Sequence, residues 1–404
     1  MSLMKNNENK IDIYYNQLPE DTRIFLDKAI TTIIEKKRKG GKVMVIIGSG
    51  PNIHEGVTTL IAELMEKGII DAVSTSSAVV AHELGGTLDK VRRIDGIKLG
   101  VSRSILPRGN IFEITQMPDE LLDTISKEMP IDLDLIKRGN AMEGDIIIKA
   151  AGNMAYPMGL RTERISREIL NMARTYGLPF EVVAGWGADP HTMLGVGFRK
   201  NLPVIVSVPQ LIGGGSVGLS VGDSISISER CMRISQMIES CDILIESAIA
   251  LTQEIHDGPF ETYTGHGIWS SWDGYPTTRL ENKVLIRIDL DPNLQKAWEF
   301  ERNNSMIQSA INKGLPKTKL TGIPFRMEMS GFARLESSLP IIGDIGIIWP
   351  IIAWRVANAL DIELDFLSHP QETYEGKEMR EWIVNTIRPF DRNEMLKHSL
   401  ERGK

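Results

Sequence analysis

The chain has 404 residues, 42% hydrophobic and 25% charged, with a formal net charge of −7. That is enough chain for two or three domain-sized cores, and the acidic balance excludes an electrostatic footprint for nucleic acid. The longest apolar stretch, residues 345–354, is too short to span a membrane and reads as a buried helix.

Residues 19–38 read as an amphipathic helix, in an N-terminal helical segment of residues 1–40. An apolar strand over 43–48 then runs into the turn GSGPNIHEG (48–56), which opens a helical pattern lasting to Lys67. Strand, glycine-rich turn and helix start together form the geometry that sets backbone N–H groups against a phosphate. Gly48, Ser49, Gly50 and Asn52 are therefore candidate cofactor-binding residues. Asn52 with Glu55 reads as an N-cap and capping box. The Rossmann fingerprint has a further glycine or alanine three residues after the second glycine, where this chain has Ile53. The alternative is a purely structural strand-to-helix connection.

A second strand over 69–74 ends in Ser74, Thr75, Ser76 and Ser77 and passes into a helix over 77–84 carrying His82 and Glu83. In open α/β sheets ligands sit at the carboxyl ends of strands. Thr75, Ser76 and Ser77 are thus candidate cofactor hydroxyls, unless they only cap the helix. Residues 85–160, rich in glycine and proline, predict an irregular insertion or a flap, with one helix near 118–128 and a strand near 143–149. A helix over 162–176 stops at Gly177 and Pro179. A strand over 180–184 is expected next, leading to Asp189 and His191 as substrate candidates. A strand over 203–208 ends in a second glycine cluster, Gly213, Gly214 and Gly215 with Ser216. Ordering three glycines costs roughly 1 kcal/mol each relative to alanine. A loop that bears this cost admits a close ligand or makes a tight turn.

A helix over 228–239 precedes a strand over 242–247. The cysteines, Cys231 and Cys241, read as reduced core or near-core residues; they are too few for a disulfide framework or a Cys-based zinc site. Glu254, His256, Asp257, His266 and Trp269 fall in one loop, with the means to stack a ring and move a proton. Their spacing fits no compact metal site, so no metal is expected. The strand over 284–288 ends at Asp289 and Asp291. Asp289 is a ribose-binding candidate; Asp291, followed by Pro292, is either a ribose ligand or a helix start. Helices near 345–360 and 374–387 close the chain. Alternation at this spacing means βαβ units and a parallel sheet.

Residues 42–90, through GSGPN, Glu55 with Gly56, and IDAVSTSSAVVAHEL (70–84), resemble the deoxyhypusine synthase-like NAD-binding superfamily. Residues 175–310, through PFEVVAG (179–185), CDILIE (241–246) and VLIRIDLDP (284–292), resemble the C-terminal domain of LOR/SDH proteins, a group that includes archaeal-type ornithine cyclodeaminases. The resemblance implies a Rossmann-like α/β domain over 41–310 with helices on both faces of the sheet, and a helical region over 311–404. It implies NAD as cofactor, with NADP not excluded. The chemistry it implies is hydride transfer from the amine-bearing carbon of a small amine or amino acid, through an imine. His82, Glu83, His256 and Asp257 become candidates for base and amine-orienting roles. The segment 268–274 lacks the lysine that deoxyhypusine synthase requires, which argues against that reaction. The expected protein is a cytoplasmic homo-oligomer, an enzyme with no nucleic-acid or membrane partner. The alternatives are a nucleotide-binding regulator without turnover, or a sirtuin-like NAD-cleaving enzyme.

Overall fold

The computed structural model describes residues 2–48, 50–152, 155–207, 210–211, 213–248, 282–289, 303–313 and 338–402. They fall into two compact units. The first comprises Met1–Ser74, Ser207–Pro209 and Ile227–Pro370; the second comprises Thr75–Val206, Gln210–Ser226 and Gln371–Lys404. Among the described residues no helix is long and apolar enough to cross a membrane.

The first unit is an α/β layer structure of the Rossmann-like kind. It contains α1 (Ser2–Gln17), α2 (Glu20–Arg38), β1 (Val43–Ile47), α3 (Pro51–His54), α4 (Val57–Glu66) and most of β2 (Ala72–Thr75). Its strands β2, β1, β7 (Ile243–Ser247), β8 (Val284–Asp289) and β9 (Ser338–Ile342) lie side by side in that order, every pair parallel. Parallel strands covered by helices read as continuous apolar runs, and β1 (VMVII) is buried at every position. After α14 (Ser305–Asn312), the Asp344 side chain caps α15 (Ile345–Ala359), whose Ile348, Trp349, Ile351 and Ile352 are core residues, as its apolar sequence requires. Chain order reverses between β1 and β7, so their carboxyl ends form the switch point of the sheet.

Three expectations change here. The helical pattern beginning after β1 is broken: α3 is four residues long, and Gly56, in the left-handed region at φ 68, separates it from α4. Asn52 does not cap; Gly50 is the N-cap and Pro51 occupies the first turn. Cys241 is buried, as expected, but Cys231 is exposed on α13 (Ile227–Ser240).

The second unit holds α5 (Ser77–Gly85), β3 (Leu88–Asp95), α6 (Gly96–Leu99), β4 (Ile111–Thr115), α7 (Asp119–Glu128), α8 (Leu133–Ala141) and β5 (Asp145–Ala150). Then follow α9 (Met158–Tyr176), α10 (Phe180–Gly185), α11 (Met193–Lys200), β6 (Val204–Val206) and α12 (Ser216–Ser224). The C-terminal α16 (Tyr374–Thr386) and α17 (Arg392–Arg402) also belong to it. The insertion is regular rather than irregular. β4, β3 and β5 form an antiparallel sheet, and Ile94, Leu99, Ile114 and Ile136 make a core of its own. Residues 180–184 are helix α10, not strand. A six-residue segment, apolar but for Glu181, suits either period, and here the Glu181 carboxylate accepts the Val206 N–H at 2.7 Å as α10 packs against α9 and α11.

Candidate functional site

Helix α5 is buried along its whole length, so its two ionisable side chains must find partners inside the protein. They find different ones. Ala78, Ala81 and His82 share one face and line a cavity of about 420 Å³. Glu83 projects about 100° further round the helix. Its carboxylate accepts the N–H groups of Met193 at 2.9 Å and Leu194 at 3.0 Å, the first amides of α11. Burial pushes the Glu83 carboxyl up to about 7; the Leu194 and Met193 amides pull it back, and the charge of Asp189 adds to the rise.

The His82 ring is tied to the protein frame. Its Nδ1 lies 2.7 Å from the carbonyl oxygen of Ala151. A carbonyl only accepts, so Nδ1 carries the proton and neutral His82 has its lone pair on Nε2. Facing it across the cavity are Gly159, Leu160, Thr162 and Glu163 on one face of α9, with Phe112, Tyr156, Gly152 and Ala155.

The second glycine cluster forms another wall. Gly213, Gly214, Gly215 and Val217 all line the cavity. Gly214 is wedged against α5: an added Cβ would lie 2.5 Å from the Ser77 carbonyl oxygen. Its N–H donates to Ser77 Oγ at 2.9 Å, and that hydroxyl donates to the Gln210 carbonyl at 2.9 Å. Gly215, at φ 59, is the N-cap of α12 and offers no side-chain cap to the first amides of that helix; Ser216 is its first residue. Among the described residues, a Cβ at Gly213 would meet only the Ala78 methyl, at 3.9 Å. A glycine loop running into an uncapped nine-residue helix beside a cavity is the geometry suited to an anionic group.

The structure thus brings His82, Ser77 and Gly213–Gly215 together. Ser76 is the N-cap of α5, its Oγ accepting the Val79 N–H at 3.1 Å. The Thr75 hydroxyl is buried with no hydrogen-bond partner among the described residues, as is that of Ser74. Asp189 and His191 lie elsewhere in the second unit. Asp189 pairs with His191 Nδ1 at 2.9 Å and accepts the Arg388 N–H at 2.9 Å, while the His191 ring packs edge-on against Trp382. In the first unit, Gly48 is buried and Gly50 has φ 75. Asn52 is tied to the end of β7: Ser247 Oγ donates to its Oδ1 at 2.7 Å, and its Nδ2 donates to the Ser247 carbonyl at 3.2 Å. Trp349 Nε1 completes the cluster by donating to Ser247 Oγ at 2.8 Å. Ser49, Glu254, His256, Asp257, His266, Trp269 and Asp291 lie outside the described residues, as does the side chain of Asp289.

Sequence reasoning missed Tyr156, Glu163 and Asp89. Glu163 sits one turn beyond Gly159 and Leu160 on α9, a helical-face signal visible once that helix is started at Met158. Asp89 carries no local signal. It is buried on β3, and its carboxylate accepts the Gly152 N–H at 3.1 Å.

No family model matches the chain, and no curated protein matches it. Among solved structures it is similar to AgrE in ternary complex with ornithine and NAD+, with 12% identity over 85% of this chain and 34% of that one, at a TM-score of 0.41. It is similar to ArgZ, a cyanobacterial arginine dihydrolase, with 12% identity over 84% and 32% of the two chains, at 0.37. A conserved LOR/SDH protein of Methanococcus maripaludis aligns with 12% identity over 86% of this chain and 72% of its own, also at 0.37. The chain spans about a third of the length of AgrE and of ArgZ.

Proposed function

We propose that the protein is an NAD-dependent enzyme that oxidises the amine-bearing carbon of a small amine or amino acid, with the second-unit cavity as its site. The observation that carries this reading is one cavity walled by a glycine loop at a helix N-terminus and by a histidine of fixed tautomer. Its volume of about 420 Å³ falls within the roughly 300–1,000 Å³ of small-molecule sites.

The residues fit the group. Gly213–Gly215 and the first amides of α12 would hold a phosphate. NAD when bound supplies a hydride acceptor. The chain's own groups do the rest. A substrate ammonium must lose a proton before its carbon can give up hydride, and His82 Nε2 is the acceptor while the Ala151 carbonyl keeps the ring in place. Glu163, on the cavity wall, is the carboxylate available to draw in the cationic amine. Phe112, Leu160, Ala78 and Ala81 supply apolar wall that limits water.

Mass spectrometry of ligand released from the denatured protein, with absorbance at the reduced-nicotinamide band during a screen of amines and amino acids, tests the proposal. Bound or saturable NAD and amine-dependent reduction support it. No binding of NAD or NADP, with no reduction on any amine, would overturn it.

A further inference from the structure

One peptide group joins His82 to a carboxylate that does not itself line the cavity. The peptide between Ala151 and Gly152 accepts a hydrogen bond through its carbonyl and donates one through its N–H. The carbonyl oxygen is 2.7 Å from His82 Nδ1. The N–H, belonging to the same planar unit, is 3.1 Å from Asp89 Oδ2. We propose that Asp89 is a positioning residue for His82, acting through the Ala151–Gly152 peptide.

The local structure holds this peptide tightly. Gly152 has φ 64, and a Cβ there would meet Thr162 Oγ1 at 2.8 Å. Gly85 presses on it from α5, where a Cβ would sit 2.6 Å from the Gly152 nitrogen. The Ala151 N–H donates to the Thr87 carbonyl at 3.0 Å. A peptide confined on three sides turns little, so the imidazole that bonds to it keeps its orientation.

The electrostatic consequence follows from the amide dipole. A carboxylate that takes the Gly152 proton draws electron density toward the carbonyl oxygen, and that oxygen then binds the Nδ1–H of His82 more strongly. The imidazolium is favoured, and His82 becomes the better base. This is the job an aspartate does for a catalytic histidine by direct contact, performed here across one peptide. Burial on β3 pushes the Asp89 carboxyl up to about 7, against the pull of the Gly152 amide and of Lys149, so the charge that acts on the peptide develops as pH rises through that value. Lys149 is the register partner of Asp89 on β5, and its ammonium is bound to Glu113 at 2.5 Å; Glu113 also holds Arg93. Glu163 and Tyr156 are the ionisable groups that share the cavity wall with His82.

The role rests on reading His82 as the proton acceptor, but its test does not need turnover. The full chain has seven histidines, and the ring signal of His82 can be assigned by its loss in His82→Gln. Asp89→Asn keeps an oxygen for the Gly152 N–H and removes the charge. The His82 titration midpoint is expected to fall by about half a unit or more in Asp89→Asn. In the unsubstituted chain the Gly152 amide and the His82 ring should move over one shared pH interval. That second observation needs no variant and survives a failure of Asp89→Asn to fold. A His82 midpoint unmoved by Asp89→Asn, or a Gly152 amide insensitive to pH while the His82 ring titrates, would overturn the proposal. Once a substrate is found, Asp89→Asn should lower kcat at unchanged KM and shift the acid limb of the pH profile. If no amine is turned over but the two signals move together, the functional reading fails and the coupling stands.

Discussion

Two glycine-rich turns follow two strands in this chain, and they have come to different ends. After β1, in the first unit, the helix is only four residues long, and Asn52 is bound into a buried cluster with Ser247 and Trp349 at the switch point of the sheet. After β6, in the second unit, Gly213–Gly215 border open volume and lead into a nine-residue helix without a side-chain cap. On the proposed reading the difference lies in the space beside each turn, since a glycine turn at a strand end can take a phosphate where that space is left empty. Side chains joining that turn to the next strand convert it into a structural clasp.

The largest effect that would break the comparison is on turnover. His82→Gln should lower kcat/KM for an amine substrate by about 100- to 10,000-fold, the usual contribution of a positioned base. Steady-state kinetics with a melting curve checks it, since the expected change in Tm is small. Next comes the clasp. Asn52→Ala takes the acceptor from the Ser247 hydroxyl and the side-chain donor from its carbonyl, leaving Trp349 Nε1 on Ser247 Oγ, and should cost about 1–3 kcal/mol in denaturant unfolding, with NAD affinity unchanged. If NAD affinity fell with stability, the first turn would be a ligand site as well. Smaller again is the cap that Glu83 gives α11, whose loss in Glu83→Ala should cost about 0.5–2 kcal/mol.

The buried carboxyls also fix the sign of a pH effect. Glu83 and Asp89 are raised by burial from 4.5 and 3.8 to about 7. Between those values the folded protein holds protons that the unfolded chain has released. Their contribution to stability is therefore fully present below about 4 and is lost as pH rises through about 7. Denaturation midpoints measured at pH 5.5 and 7.5 should show this, and Glu83→Gln should reduce the difference.

The sheet was legible because its strands are led by apolar runs: 43–47 is apolar throughout, and the strands at 243–247 and 284–289 open with the apolar triplets 243–245 and 284–286. β3, with the sequence LDKVRRID, was not, since a sheet with a partly exposed face admits charges that hide the period. α10 was misread because a short, mostly apolar segment of six residues satisfies both periods. His82 and Gly213–Gly215 were legible as residue types at the ends of elements. Asp89 and Tyr156 were not, because they reach the site through pairings of β3 with β5 and of β4 with residue 156. Asn52 was read as a cap because capping is local, whereas its partner Ser247 lies 195 residues away.

Gly213 offers the most direct test of the account. Among the described residues a Cβ there would meet nothing nearer than the Ala78 methyl at 3.9 Å, and Gly213 lines the cavity. NAD titrated into the parent chain and into Gly213→Val, followed by intrinsic fluorescence, should saturate in the first and weaken by about tenfold or more in the second, with Tm unchanged. Equal binding by both chains would contradict the assignment of the cofactor to this cavity.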